Sequence, residues 1–294
     1  MEKGAPFRFE FLPPSPGLSD RINTLFLLEA HVDSLEEILP AYSAQVLVFA
    51  RGAAEISYAI GGGARIEGAG INAPMLESAA VRLEGRVLIA GISLTPLGWA
   101  SLTGRPVDRC HDTFLPAEAF LPPGYATKLA DIGPRLASGK IDGASACREL
   151  EALVESASLP VKAEHARLIS ATMDWLSSAF SPPREDLLAR LPYEERQVQR
   201  LCKRFFGAPP ATLLKRFRAI RAAALLAQDD LSEAMRDEIH LAYFDQAHLI
   251  RDIRRYTGRT PKWLKHPSLV TDTLDPDGHG PAAEILRAGL ERAR

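Results

Sequence analysis

The feature that most limits how this 294-residue chain can fold is an internal repeat with a shift of 51 positions. Gln197 to Pro210 reads QVQRLCKRFFGAPP, and His248 to Pro261 reads HLIRDIRRYTGRTP. The shift places Val198 on Leu249, Arg200 on Arg251, Cys202 on Ile253, and Phe205 on Tyr256. It also places Lys203 and Arg204 on Arg254 and Arg255, Gly207 on Gly258, and Pro210 on Pro261. Glu194 and Asp245 correspond as well, each acidic where the unpaired N–H groups and dipole of a helix start favour a carboxylate. The glycines suit a helix stop that needs positive φ, and the prolines prevent continuation. The repeat therefore predicts two similar short helices with matching ends.

Each copy has one apolar face. Val198, Leu201, Cys202 and Phe205 fall at i, i+3, i+4 and i+7 and form the expected buried stripe. Arg196, Gln199, Arg200 and Lys203 lie on the other side. In the second copy Leu249, Ile250, Ile253 and Tyr256 are the expected buried set. Arg251, Arg254 and Arg255 project outward, with His248 beside them. One such helix reads as an ordinary solvated surface helix; two copies, each in a helix–turn–helix setting, point to a polyanion. Arg can donate two hydrogen bonds to guanine O6 and N7, and Gln can pair with adenine N6 and N7. Lys203, Arg204, Arg254 and Arg255 suit phosphate contacts, which fix register without reading sequence. Between the copies, PATLLKRFRAIRAAALLAQ (Pro210 to Gln228) predicts a rigid helix with Pro at its start. Such a connector can hold two reading helices about one turn of B-DNA apart, roughly 34 Å.

Charge separates along the chain in the same sense. Arg184 to His266 holds 17 basic and 11 acidic residues, a formal +6, against −8 for the remainder and −2 overall. A basic module with a polyanionic partner, attached to a domain with another task, is the expectation. Three well-separated cysteines, Cys110, Cys147 and Cys202, argue against a disulfide framework and suit a reducing cytoplasm. No signal-peptide run opens the chain, and no segment approaches the roughly 20 apolar residues of a membrane span. A cytoplasmic protein is expected.

The residues from Glu164 to His266 resemble the AraC-type bacterial transcription regulators. The resemblance rests on RFFGAPP, on Arg218 and Ala222 in the connector, and above all on FDQAHLIRDIRRYTGRTPKWL. It implies two helix–turn–helix units joined by a long helix, double-stranded DNA as partner, and RNA polymerase as the machinery acted upon. Base-contacting positions carried over from the family fall on Arg196, Gln199 and Arg200, and on Ala247 and Arg251. The candidate DNA-binding set is completed by Gln197, Lys203, Arg204, His248, Arg254 and Arg255. The sequence departs from the family at Pro192, where Gly is common, at Glu194, where a small or hydroxylated cap is usual, at Ala242, where Gly is normal, and at Ile253, where Phe is. Ala247 offers an apolar contact to a thymine methyl at most. The second unit accordingly reads less sequence than the first or serves as a backbone clamp.

The expected fold class is α+β: a β-rich N-terminal domain with helices, compatible with a cupin-like barrel, then an all-α double helix–turn–helix domain. The expected limits are 1–163 for a regulatory, ligand-sensing or dimerisation domain, 164–266 for the DNA-binding domain and 267–294 for a tail. That tail reads as a loop, then one short helix, AAEILRAGLERAR. AQVLVFA, AEISYAI, SAAVRL and RVLIAGISL predict strands, with GGGAR and LEGR as the breaks between them, as in hairpins. LIAGISLTPLGWASLTG, read as a strand entering a Pro-Leu-Gly-Trp turn, resembles the N-terminal region of a subgroup of the same regulators. The helices between Pro122 and Phe180 could supply a homodimer face or pack on the barrel. A small-molecule effector is the further partner such a domain implies.

Catalysis is not expected. His31 and His111 are distant and lack a His-x-His arrangement, so no metal site is expected. Consecutive Cys110, His111 and Asp112 would point to alternate faces of a strand and not converge. GGGARIEGAG lacks the strand–helix context of a dinucleotide loop, and no cofactor is expected. The competing readings are a DNA-binding protein with an appended enzymatic role, which needs an activated cysteine, and a protein-interaction module that no longer reads DNA.

Overall fold

A computed structural model describes residues 6–274. Eight strands form one antiparallel sheet: β1 (Phe7–Leu12), β2 (Ile22–Ala30), β3 (Ser34–Leu39), β4 (Gln45–Tyr58), β5 (Gly63–Ile66), β6 (Ala69–Asn72), β7 (Ala79–Leu94) and β8 (Phe114–Pro116). The order is β1-β2-β7-β4-β6-β8, with β3 on β7 and β5 on β4.

The sheet bends along its two longest strands. AQVLVFA and AEISYAI, expected as separate strands, are one strand, β4, and SAAVRL and RVLIAGISL are likewise one strand, β7. GGGAR does turn β4 back into β5, but LEGR is a kink inside β7 and not a hairpin. The reason lies at Gly52 and Gly85, both at positive φ. The β4–β7 register slips here, and a Cβ on Gly52 would stand 2.7 Å from the Glu84 carbonyl. Bulges of this kind bend a strand without ending it.

Alternation along β4 then sorts side chains between two cores. Val46 and Val48 face a layer that contains Trp99, Leu129, Ile132, Leu150 and Val154. Leu47 and Phe49 point the other way, into a cluster with Phe26, Leu28, Ile56, Val81 and Leu83 from both halves of the sheet. That inner cluster encloses an apolar cavity of about 60 Å³.

The Pro-Leu-Gly-Trp segment starts a helix, α1 (Pro96–Thr103), and is not a turn. Thr95 is the reason: its Oγ1 accepts the Gly98 N–H at 3.0 Å, and Pro96 occupies the first helical position. Helices α2 (Pro123–Ala137) and α3 (Gly143–Ala157) pack on the sheet and are joined by a bidentate Arg135–Glu149 pair at 2.7 Å.

The rest of the described chain is helical: α4 (Ala163–Ser178), α5 (Arg184–Ala189), α6 (Glu195–Phe206), α7 (Pro210–Ala227), α8 (Glu233–Leu241), α9 (Gln246–Thr257) and α10 (Leu269–Thr273). These share one core around Trp175, Phe217, Ile220 and Ile253. Buried Arg221 of α7 donates to the Leu176 and Ala179 carbonyls, satisfying the end of α4. The expected loop after Pro267 is instead helical at α10, where Ser268 caps by accepting the Thr271 N–H. The expected helix AAEILRAGLERAR lies outside the described residues.

Candidate nucleic-acid interface

Helices α5 and α6 form one helix–turn–helix unit, α8 and α9 the other, and α7 connects them. The repeat in sequence is a repeat in geometry. Gly207 ends α6 at φ 81° with its N–H on the Lys203 carbonyl, and Gly258 ends α9 at φ 72° with its N–H on the Arg254 carbonyl. Arg204 sits over the Phe205 ring and Arg255 over the Tyr256 ring, at 5.7 and 5.6 Å. The helix starts differ. Asp245 accepts the His248 N–H at 2.6 Å, whereas Glu194 makes no side-chain cap bond. In the first unit it is Glu195 that is engaged, by Arg184 at 2.6 Å and by the Gln199 amide at 3.1 Å.

Val198, Leu201, Cys202 and Phe205 are buried as expected. In α9 Leu249, Ile253 and Tyr256 are buried, but Ile250 is 36% exposed and Asp252 takes the inward place. Position 252 follows Leu249 by three and precedes Tyr256 by four, so the helical stripe runs through it and leaves Ile250 at the edge. Asp252 is usable there because charges meet it. Its Oδ2 lies 3.5 Å from Arg218 Nη2 of α7 and 3.3 Å from His248 Nε2. Arg218 also donates to the Ala242 carbonyl at 3.0 Å and stacks 4.3 Å above the Tyr243 ring. This network ties the second unit to the connector.

Arg196, Gln199, Arg200, Lys203 and Arg204 are exposed on α6, and Gln197 is half-buried. Arg196, Gln197, Gln199, Arg200 and Lys203 line one open groove with Glu194. On α9, Ala247, Arg251 and Arg254 are exposed. Two expected outward groups are otherwise engaged. His248 is half-buried, edge-on to Tyr243 and on Asp252. Arg255 turns to the N-terminal domain and meets Glu77 at 2.6 Å, which raises the guanidinium pKa further. The residue before the α9 cap, Phe244, is 94% exposed.

The N-terminal domain touches both units. A Cβ on Gly207 would stand 2.7 Å from Leu76, and one on Gly258 would collide with Ile38. Ala41 donates to the Tyr256 carbonyl at 2.7 Å, Arg216 to the Met75 carbonyl at 3.3 Å, and Arg259 pairs with Glu37 at 3.2 Å. The C-terminal ends of both amphipathic helices are thus packed against the first domain.

Residues 187–265 match the family model described as a helix-turn-helix domain. The segment is a double helix-turn-helix domain of the AraC type. A helix-turn-helix domain is a DNA-binding module. Among solved structures, ToxT from Vibrio cholerae O395 aligns at 8% identity over 87% of this chain and 95% of that one, with a TM-score of 0.45. ToxT from Vibrio cholerae in a P21 form aligns at 6% identity over 87% and 97%, also at 0.45. No curated protein matches the chain.

In the AraC-type domain Cys202 is buried, and burial pushes its thiol up to about 11. In the first domain burial also raises Cys110, whose Sγ donates to the Pro106 carbonyl at 2.9 Å. His111 Nδ1 and Asp112 Oδ2 lie 2.7 Å apart and Asp112 has φ 50°, so these two do converge, through a turn conformation that the strand argument did not include. Among the described residues no three His, Cys, Asp or Glu are grouped to hold a metal ion, and no helix is long and apolar enough to cross a membrane.

Asp252, Glu77 and Glu37 were not among the expected site residues. Asp252 carried a local signal, an acid on the apolar stripe four residues after His248. Glu77 and Glu37 carried none, since each depends on a contact with residues far along the chain.

Proposed function

We propose that the chain is a sequence-specific regulator that binds asymmetric promoter DNA through α6 and α9 and is tuned by its N-terminal domain. What carries the reading is the repeated placement of Arg200 and Lys203, and of Arg251 and Arg254, on exposed faces of two helices whose buried faces are locked into one core. Arg200 and Arg251 act on base edges in successive major grooves, while Lys203, Arg204 and Arg254 grip phosphates. Bound in this way the protein recruits or blocks RNA polymerase in the cytoplasm. No catalytic step belongs to this function.

Residues 1–163 are the regulatory part, 164–266 the DNA-binding part and 267–294 the tail. Tuning is supported by the contacts of Arg255, Arg259 and Ala41, which tie the end of α9 to the first domain. It is also supported by the cavity, whose wall includes Leu269 and Thr273 of α10 beside sheet residues such as Phe49 and Ile56. A small apolar effector lodged there would press on a helix that follows α9 in the chain after one short 3-10 turn, Pro261–Trp263. Self-association into a homodimer is the other route by which the first domain would act.

Selection of sites from a random duplex library with the full chain tests the reading. Two enriched blocks about ten base pairs apart, the spacing of one helical turn, are the expected result. One block would restrict base reading to the first unit, and no enrichment at low salt would remove the proposal.

A further inference from the structure

The second unit differs from the first at the very positions where a recognition helix enters a groove. Shifted by 51 residues, Tyr193 and Arg196 of the first unit correspond to Phe244 and Ala247 of the second. Tyr193 is half-buried against the helical core, and Arg196 is an exposed cation. Phe244 has no such use in the fold. A hydrophobic residue just before a helix cap ordinarily packs on the fourth helical residue, here Leu249. Phe244 is 94% exposed while Leu249 is 3% exposed, and Tyr243 is the ring buried below. Ala247, three residues on, is exposed too. The leading edge of α9 is therefore apolar, and exposed Arg251 and Arg254 follow it.

We propose that Phe244 and Ala247 read the 5-methyl group of thymine in the major groove, with Arg251 on a neighbouring base edge. Thymine is the base that presents a methyl group there, and Phe and Ala are side chains suited to contact it. Arg254, behind the apolar edge, fits the phosphates that border such a groove. A protein partner on the same edge would have to accept that positive charge beside the ring, so the charge pattern favours DNA. The inference rests on the regulator reading above. It replaces the expectation of a weak or merely clamping second unit with a unit that reads by methyl contact.

The test uses the duplex selected by the full chain, with each thymine of the second block replaced in turn by deoxyuridine, which lacks only the methyl group. At one or two positions the wild-type protein should lose about four- to tenfold in affinity, the scale expected for one buried methyl. Phe244→Ala should lose most of the difference between the thymine and deoxyuridine duplexes at the most sensitive position, leaving only what Ala247 contributes, and Phe244→Leu should keep part of it. The side chain is almost wholly in solvent, so neither change threatens folding. A second block without thymine, or one insensitive to deoxyuridine throughout, overturns methyl reading while leaving the regulator standing. Phe244→Ala with unchanged DNA affinity and unchanged discrimination also overturns it. Absence of any enriched sequence overturns the regulator reading and this inference together.

Discussion

The Arg255 guanidinium lies 2.6 Å from the Glu77 carboxylate, so a side chain on the recognition helix of the second unit is held by the N-terminal domain. The Ser78 N–H and hydroxyl both donate to the Arg255 carbonyl, which fixes the backbone of the same residue. A cation held in this way is withdrawn from phosphate. Glu77→Gln should release it, tightening binding to all DNA sequences alike. It should also steepen the slope of log affinity against log salt by about 0.9, the increment for one added phosphate contact. Fold stability should change by less than about 1 kcal/mol, because the Arg255 side chain is half exposed. Salt titrations of the two proteins on nonspecific duplex measure both the sign and the slope.

Asp252 is the hinge of a different network. Its carboxylate faces Arg218 and His248 with all three side chains substantially covered. Asp252→Ala leaves the Arg218 charge under the second unit without its carboxylate, a class of change that costs about 3 kcal/mol. The loss should fall on α8 and α9, so footprinting should show the second block of the DNA site unprotected while the first stays covered. Denaturant unfolding measures the cost. Equal weakening of both blocks would place the effect elsewhere.

Gly258 carries two separable demands. Its φ of 72° disfavours any side chain, and a Cβ there would collide with Ile38 of β3. Gly258→Ala should lose about 1–2 kcal/mol to the left-handed backbone alone, and more from the collision. Adding Ile38→Ala should recover the second part and not the first. Thermal melts of the single and double variants divide the two.

Cys147 and Cys202 are buried and pushed up to about 11 by burial, from an ordinary value of 9.0. The folded chain therefore keeps these protons at pH values where the unfolded chain has lost them. The stability they contribute is present below about pH 9 and falls as pH rises from 9 to 11, by at most about 3 kcal/mol for each thiol. A Cys147→Ala and Cys202→Ala double variant should show a shallower decline over that window in denaturant melts at fixed pH steps.

The helical half was legible because its signals are local. The caps, the glycine stops and the stripe from Val198 to Phe205 each lie within one or two turns of chain. Ile250 was misplaced because periodicity alone cannot tell whether an acid on the stripe will find a partner, and the partner of Asp252 is Arg218, 34 residues away. The N-terminal half was less legible for a related reason. LEGR carries the composition of a hairpin turn, and only the pairing of β4 with β7 on both sides of Gly85 shows it to be a kink. Phe244 was visible as a residue but not as an exposed one, since exposure depends on Tyr243 taking the inward place.

The cavity between the halves of the bent sheet is closed in part by Leu269, which is 2% exposed. Leu269→Ala should enlarge it and cost about 3 kcal/mol, the usual sum of lost burial and residual void. The lining is mostly apolar, with Gln45, Asn72 and Thr273 among it, and a mostly apolar void of this kind accepts small apolar molecules. Benzene should therefore raise the melting temperature of the variant more than that of the wild type. If α10 transmits occupancy of the cavity to α9, benzene should also shift the affinity of the variant for its selected duplex, and the shift should vanish when Ala54→Leu fills the space from the sheet side. Stabilisation by benzene without any change in DNA affinity would separate the cavity from control of DNA binding. No stabilisation at all would mean that the wall collapses on itself once Leu269 is cut back.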